Sequence, residues 1–270
     1  MKVEEHIIQQ ADSKPIILDI KFAEGNEKNL IIFTHGFKGF KDWGHFNLMS
    51  EQFVNAGFDF LKFNFSHNGG TMEEPIDFPD LKAFGNNTFS IEQDDLNRVI
   101  NWAKSNINPS NIFLIGHSRG GGAVLLKAAN DKRITKLVTW ASVSSFDRWN
   151  KDIYDHWKRE GVMYIQNART MQEMPLYWIL AQDYFDHLDL LKIEDQVERI
   201  KIPTLIIHGK NDEAVPYQEA LNLHQSIKQS QMHTIESANH TFGTSHPWTS
   251  NTLPEDAKEL IDRTIEFLQA

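Results

Sequence analysis

Two kinds of apolar pattern alternate along most of the chain. Short runs of apolar or β-branched residues predict buried strands, whereas apolar residues spaced three and four apart predict helices. The strand-like runs are 3–9, 15–22, 30–34, 58–65, 112–115, 136–141, 202–208 and 232–236. The helix-like segments are 45–55, 90–103, 123–129, 216–227 and 254–268. Turn residues at 11–14 join the first two runs into a predicted β-hairpin, and a second turn is predicted at 24–27.

The helical segment at 90–103 has a start signal of its own. Ser90 and Gln93 have the spacing of a capping box, and Asp94 and Asp95 favour the first turn of a helix. Residues 66–89 before it contain three glycines and two prolines and predict a surface loop that frames a pocket.

From residue 30 onward the predicted strands alternate with predicted helices. That order favours an α/β fold with a mostly parallel sheet, helices on both faces, and a site at the carboxyl ends of the strands. Residues 146–198 interrupt the order between two late strands and are rich in large aromatic and apolar side chains. They predict a small helical cap over the site, so the expected organisation is a body of residues 1–145 and 199–270 with a cap of residues 146–198.

Composition narrows the class of protein. A chain of 270 residues with 40% hydrophobic content can bury the core of one large domain. Its net charge of −10 argues against a nucleic-acid partner, and the lack of cysteine excludes disulfides and thiolate chemistry. The acidic N-terminus lacks the apolar core of a signal peptide, and no apolar run approaches the ~18 residues of a membrane helix. We expect a soluble cytoplasmic protein without a membrane partner and leave a homodimer open.

The segment Gly116-His117-Ser118-Arg119-Gly120 lies between a predicted strand and a predicted helix. It matches G-x-S-x-G, in which the central serine sits on a tight turn with its hydroxyl exposed. We predict that Ser118 is a nucleophile; the alternative is a glycine-rich loop with Ser118 as a helix N-cap. The segment lacks the endings of a phosphate loop or a dinucleotide-binding loop.

A serine nucleophile needs a base, and the base needs an acid that orients it. In this type of sheet the acid and then the base follow the nucleophile along the chain, each after a strand. Asp212 lies in the turn after strand 202–208, and His240 lies in the loop after the last strand. The order predicts a Ser118–Asp212–His240 triad. Asp147 is the main rival acid, and Glu213 is expected to face elsewhere.

The strand at 30–34 runs into His35-Gly36-Phe37, which predicts the other half of an oxyanion site. We expect the backbone N–H groups of Phe37 and Arg119 to face the oxyanion; the alternative is an ordinary loop with a core histidine.

Other polar residues have structural interpretations. His35 and His117 are expected to brace loops, and His208 is expected to lie in the core. A cluster of four acidic and histidine residues lacks the spacing of a metal motif, so we predict a solvated face and no metal. These residues are Asp183, Asp186, His187 and Asp189.

Together these motifs resemble the α/β-hydrolase superfamily over nearly the whole chain. Within it, the chain is most similar to bacterial carboxylesterases with a small cap, which include feruloyl and cinnamoyl esterases. The resemblance implies the fold, the triad and a reaction without a cofactor. The chain departs from the His-Gly-Gly-Gly loop of one esterase subgroup. It also carries a charge at Arg119, which we expect to pair with a carboxylate; the alternative is that Arg119 binds an acidic group of the substrate.

The predicted activity is hydrolysis of a small-molecule ester through an acyl-enzyme, with short-chain or aryl and hydroxycinnamoyl esters as expected substrates. The same triad would also serve an acyl thioesterase, an amidase or peptidase, or a carbon–carbon bond hydrolase. An oligopeptidase is less expected because no propeller domain accompanies the chain, and a dehalogenase would need Asp at position 118. A different class of function is a non-catalytic binding module on the same scaffold.

Overall fold

The computed structural model describes residues 2–11, 13–25 and 28–270. The strands in these ranges are β1 (Lys2–Ile8), β2 (Ile16–Phe22), β3 (Asn29–Thr34), β4 (Asp59–Asn64), β5 (Asn111–His117), β6 (Ile134–Trp140), β7 (Val162–Gln166), β8 (Glu173–Tyr177), β9 (Thr204–Gly209) and β10 (Ser230–Ile235). The predicted turns at 11–14 and 24–27 include Asp12, Asn26 and Glu27, which lie outside the described residues.

The described residues also form α-helices between and after the strands. They are α1 (Phe46–Asn55), α2 (Leu81–Gly85), α3 (Phe89–Asn106), α4 (Arg119–Asn130), α5 (Lys151–Glu160), α6 (Ile179–Asp186), α7 (Leu188–Leu191), α8 (Ile193–Gln196), α9 (Tyr217–Ser226) and α10 (Glu255–Gln269). A short 3₁₀ helix covers Val197–Arg199. Within the described ranges, none of the helices is long and apolar enough to cross a bilayer.

Eight strands form one sheet in the order β1–β2–β4–β3–β5–β6–β9–β10. The pairs β1–β2 and β2–β4 are antiparallel, and the remaining neighbours are parallel. The predicted α/β fold with a mostly parallel sheet is therefore confirmed. Because β3, β5, β6, β9 and β10 run in the same direction, their carboxyl ends meet at one edge.

Strand β5 shows why these apolar runs form central strands. Successive side chains of a strand point to opposite faces, and both faces of this sheet are covered. Ile112 and Leu114 lie in one apolar cluster with residues of α3, α4 and α9, whereas Phe113 and Ile115 lie in the other with residues of α1 and α10. Each such fully buried side chain stabilises the fold by about 1.5–3 kcal/mol.

Two local predictions were wrong. The predicted loop at 66–89 contains the short helix α2, whose N-cap Asp80 accepts a hydrogen bond from the Ala83 N–H. Helix α3 begins at Phe89 with Thr88 as its N-cap, so Ser90 is not the cap. The earlier start puts the Phe89 ring in the core, where it stacks on Phe146 at 4.0 Å.

The segment between β6 and β9 contains α5–α8 and also an antiparallel pair, β7–β8, which the sequence analysis did not predict. Its centre is Trp157, which is fully buried and donates a hydrogen bond to the Leu176 carbonyl at 2.7 Å. Towards its end, Ile193 and Val197 join the apolar cluster of the body. The division into a body and a cap at residues 146 and 198 stays a prediction.

Candidate active site

Ser118 lies in the turn between β5 and α4, at the carboxyl edge of the sheet. Its backbone has φ 58° and ψ −123°, a conformation that a residue other than glycine adopts rarely. The Ser118 N–H donates to the Trp140 carbonyl at 2.9 Å, which ties the turn to the neighbouring strand β6. The sheet therefore holds a strained turn that presents the Ser118 side chain to solvent.

The loop after β3 approaches this turn so closely that only glycine fits at the contact. A Cβ atom on Gly120 would lie 2.4 Å from the His35 carbonyl oxygen, and one on Gly36 would lie 2.8 Å from the Ser118 Cβ. Phe37 follows directly, and Arg119 is the first residue of α4, whose N–H has no acceptor within the helix. The Phe37 and Arg119 backbones thus flank Ser118.

The side chains of Ser118, His240 and Asp212 form a hydrogen-bonded chain. The His240 Nδ1 lies 2.8 Å from Asp212 Oδ2, and its Nε2 lies 3.0 Å from Ser118 Oγ. With the proton on Nδ1, the imidazole donates to the carboxylate and accepts from the serine hydroxyl. Three residues that are far apart in sequence are therefore within proton-transfer distance.

Asp212 is held as an anion by several donors. Its Oδ1 accepts from the N–H groups of Ala214 and Val215, each at 2.8 Å. Burial raises the Asp212 pKa, but hydrogen bonds from His208, His240 and Val215 outweigh it, so the pKa lies well below its ordinary value. The carboxylate is therefore ionised at physiological pH.

His208 was expected to be a core residue, and it is fully buried. Its contacts were not predicted from the sequence: the His208 Nε2 lies 2.9 Å from the Val215 carbonyl and 3.3 Å from Asp212 Oδ2. One N–H group therefore supports the Asp212 carboxylate and the turn around it. The available signal was its position at the end of β9, four residues before Asp212.

His117 and His35 brace the loops on either side of Ser118. The His117 Nε2–H donates to the His240 carbonyl at 2.9 Å, and the His35 Nδ1 lies 2.9 Å from the Gly36 carbonyl. Burial is the main cause that lowers the pKa of His117 to about 3 and that of His35 to about 4. Both rings are therefore neutral at physiological pH and act as hydrogen-bond donors.

The Arg119 side chain is paired rather than free. Its Nη2 lies 2.5 Å from Glu92 Oε1, and Glu92 is buried. The guanidinium also lies between two rings, 5.1 Å from the centroid of Phe37 and 4.9 Å from that of Phe89. The predicted pairing with a carboxylate is the one that the structure contains, and it links the Phe37 loop to α3 and α4.

Two cavities meet at Ser118 and share Phe37, Lys38 and His240 in their walls. The first, of about 430 Å³, has aromatic walls, and the second, of about 410 Å³, is more polar. The first is completed by Phe89, Arg119, Val143, Ser145, Phe146, Arg148, Trp149, Ala214 and Val215. The second is completed by the loop after β3, by residues 167–169 and by residues 241–246. Both volumes are in the range of small-molecule sites.

The remaining candidates lie elsewhere. The Asp147 carboxylate accepts a hydrogen bond from the Tyr154 hydroxyl at 2.9 Å, and Glu213 is exposed, so neither is the partner of His240. Asp183 was wrongly assigned to a solvated face: its side chain is 9% exposed and accepts from the Ser90 N–H at 2.9 Å. It thereby satisfies a free amide at the start of α3. Within the described residues, no three His, Asp or Glu side chains form a group that could hold a metal ion.

Solved structures with this fold extend over the whole chain. Est1E from Butyrivibrio proteoclasticus with bound ferulic acid superposes with a TM-score of 0.72 at 20% identity and covers 98% of both chains. The likeness establishes the α/β-hydrolase fold.

The sequence is also similar to those of other proteins. A 2-hydroxy-6-oxononadienedioate/2-hydroxy-6-oxononatrienedioate hydrolase of Pseudomonas putida is 26% identical over 86% of this chain and 88% of its own length. A 31.7 kDa protein of the traX–finO intergenic region of Escherichia coli is 31% identical over 54% of this chain. The match spans 48% of that relative, so the chain covers about half its length.

The sequence also matches the model of a known protein family. Residues 67–261 match the prolyl oligopeptidase family, and this range includes the turns of Ser118, Asp212 and His240. The match covers more than half of the chain and agrees with the α/β-hydrolase fold of the solved structures. The chain thus has the α/β-hydrolase fold and belongs to the prolyl oligopeptidase family.

Proposed function

We propose that this protein hydrolyses carboxylic esters through an acyl-enzyme formed on Ser118. The main support is the chain of hydrogen bonds from Ser118 Oγ through His240 to Asp212, with distances of 3.0 and 2.8 Å. A serine hydroxyl becomes a nucleophile when a neutral imidazole takes its proton, and an anionic carboxylate stabilises the imidazolium that results.

In the first half of the reaction, Ser118 Oγ attacks the ester carbonyl while His240 Nε2 takes the hydroxyl proton. The tetrahedral oxyanion accepts hydrogen bonds from the backbone N–H groups of Phe37 and Arg119, at the start of α4 where the helix dipole favours negative charge. His240 then gives its proton to the departing alcohol. In the second half, a water molecule attacks the acyl carbonyl while His240 takes its proton. His240 then returns a proton to Ser118 Oγ as the bond from Oγ to the acyl carbon breaks and the carboxylic acid leaves.

The cavities favour small substrates with an aromatic or short acyl group. The first cavity has ring walls from Phe89, Phe146 and Trp149, and rings of this kind bury planar apolar groups effectively. Est1E, a neighbour in fold, holds ferulic acid, a hydroxycinnamate. We therefore propose short-chain, aryl and hydroxycinnamoyl esters as the substrate class, with residues 146–198 acting as the cap.

The test compares Ser118→Ala with the wild type on p-nitrophenyl acetate, p-nitrophenyl butyrate and methyl ferulate. Loss of the nucleophile should lower kcat by about 10⁶-fold, judged from a comparable triad. Ser105→Ala, on the exposed face of α3, serves as the matched control and should behave as wild type. A fluorophosphonate probe should label the wild type and the control but not Ser118→Ala. Ester turnover that survives in Ser118→Ala, or a wild type that resists the probe, would contradict the proposal; the second result would favour a binding module.

An amidase or peptidase activity is the second candidate, and the family match favours it. The same three side chains can cleave an amide if His240 protonates the departing amine. Parallel assays with an acyl-prolyl p-nitroanilide, an acyl thioester and the esters above decide between these reactions. A kcat/KM for the anilide that exceeds the values for the esters would replace the ester proposal.

A further inference from the structure

The walls of the two cavities beside Ser118 carry positive charge without negative charge. The charged side chains there are Lys38, Arg119 and Arg148 in the first cavity and Lys38 and Arg169 in the second. Among the described residues, no Asp or Glu lines either cavity. This local excess contrasts with the net charge of −10 of the whole chain.

Each of the three arginines has a carboxylate partner outside the cavity. Arg119 pairs with Glu92, Arg148 with Glu219, and Arg169 with Asp77. A paired arginine is held in place by its partner and offers less attraction to a ligand.

Lys38 differs from the arginines. The structure contains no ion pair between Lys38 and any described carboxylate, and its Nζ reaches only the Gln166 carbonyl, at 3.5 Å. Its side chain is half-buried over the Phe37 ring, and burial lowers the Lys38 pKa with no neighbouring negative charge to oppose it. The Lys38 backbone has φ 57°, in the left-handed region, directly after the residue that flanks Ser118. A half-buried lysine side chain, with no ion pair to a described carboxylate, therefore lies where both cavities meet.

We propose that Lys38 selects ester substrates that carry a carboxylate near the scissile bond. An ammonium group that has lost part of its hydration gains most from a ligand that supplies the missing negative charge. Binding an acidic group of the substrate was the alternative role for Arg119. Lys38 is better placed for it, because Glu92 already neutralises Arg119. This inference rests on the proposed ester hydrolysis and names its substrate class. Since Lys38 lines both cavities, the carboxylate can belong to the acyl part or to the alcohol part.

The experiment uses two pairs of esters that differ in charge. p-Nitrophenyl hemiglutarate and p-nitrophenyl methyl glutarate place the charge on the acyl side. The acetates of para-hydroxybenzoate and of methyl para-hydroxybenzoate place it on the alcohol side. The readout is kcat/KM for the charged ester divided by kcat/KM for its neutral counterpart. This ratio is compared between each variant and the wild type, so a loss of activity that affects both esters equally does not change it. Lys38→Met should lower this ratio about tenfold for one pair, mainly through KM.

Three further variants make the result specific. Lys38→Arg should retain most of the ratio, because it keeps the charge. Lys38→Glu should lower it further than Lys38→Met, because it repels the carboxylate. Lys132→Met, in the exposed turn after α4, changes the net charge equally and should leave the ratio at the wild-type value.

The outcomes separate the two proposals. A ratio that is unchanged in both Lys38→Met and Lys38→Glu overturns the role of Lys38 while ester hydrolysis stands. If the wild type hydrolyses p-nitrophenyl acetate but neither member of either pair, the role of Lys38 is overturned while ester hydrolysis stands. If it hydrolyses none of these esters, ester hydrolysis itself fails and the role of Lys38 with it.

Discussion

The body of the molecule and the segment between β6 and β9 contribute different things to the same site. Ser118, Asp212 and His240 all lie in turns or loops that follow the parallel strands β5, β9 and β10, and the packing of those strands brings them within hydrogen-bond distance. The intervening segment supplies walls, such as Phe146 and Trp149 on one cavity and Arg169 on the other. We therefore expect changes at the turns of Ser118, Asp212 and His240 to act on the chemical step, whereas changes in the segment should act on substrate binding.

The largest effect that tests this division is expected from Asp212→Asn. An amide donates where the carboxylate accepts, so His240 would be held in the wrong tautomer and its cation would lose its counter-charge. We expect kcat to fall by about 10⁴-fold with a small change in KM, as in comparable triads. Steady-state kinetics on a p-nitrophenyl ester measures both values.

Asp212 also accepts from the Ala214 and Val215 amides, so a melting curve must accompany the kinetics. Glu213→Gln, at the exposed neighbouring position, is the matched control. A folded Asp212→Asn protein with nearly full kcat would show that the body does not govern the chemical step through this residue.

The same division explains what the sequence could predict. The fold followed from apolar runs because strands buried on both faces need apolar residues at every position, as in β5, where five consecutive residues are buried. The proximity of Ser118, Asp212 and His240 followed from their order after successive parallel strands, since those strand ends share one edge.

The rest depended on contacts between distant segments. The pairing of β7 with β8 has no short turn signal, and Trp157, a buried helical residue, donates a hydrogen bond to the Leu176 carbonyl of that pair. Helix α3 starts at Phe89 because Thr88, two residues before the cap predicted at Ser90, accepts from the Ile91 N–H, and the Phe89 ring then stacks on Phe146. The contact of His208 with Asp212 likewise became visible only in the packed structure. So did the position of Lys38, which has no ion pair with a described carboxylate.

A smaller effect is expected from Trp149→Ala in the segment between β6 and β9. The Trp149 ring lines the aromatic cavity beside Ser118 and packs edge-on against Trp157 at 5.2 Å. Its removal should lower kcat/KM for methyl ferulate about tenfold, through KM, and change kcat much less. The kinetics of methyl ferulate and p-nitrophenyl acetate, measured side by side, would show whether the loss is confined to the aromatic acyl group.

Trp178→Ala is the matched control for this change. Trp178 also packs against Trp157, at 5.8 Å, but it is not among the residues that line the two cavities beside Ser118. Equal effects of the two substitutions on KM would mean that the segment acts through its own stability rather than through the wall beside Ser118.

The smallest effect concerns stability in acid, which should depend on the body alone. His45 precedes α1 and is buried, and neither of its ring nitrogens has a hydrogen-bond partner among the described residues. Burial lowers its pKa to about 4, whereas an unfolded histidine has a pKa of about 6.5. Between these two pKa values, His45 is therefore protonated in the unfolded chain and neutral in the folded chain. The contribution of His45 to the free energy of unfolding is fully present above the unfolded pKa, and it is lost as the pH falls from there towards the folded pKa.

His45→Phe removes this titration and keeps an aromatic ring beside Phe46, which His45 contacts at 5.4 Å. At about pH 5 the variant should regain about 2 kcal/mol of the free energy of unfolding, or several degrees in Tm. His35 and His117, whose pKa values are also lowered, should keep the remaining acid sensitivity in place. Melting curves of both proteins at about pH 7 and about pH 5 measure the difference. Equal losses of Tm between the two pH values would show that His45 is already protonated in the folded protein, and the acid sensitivity would then have to come from other groups.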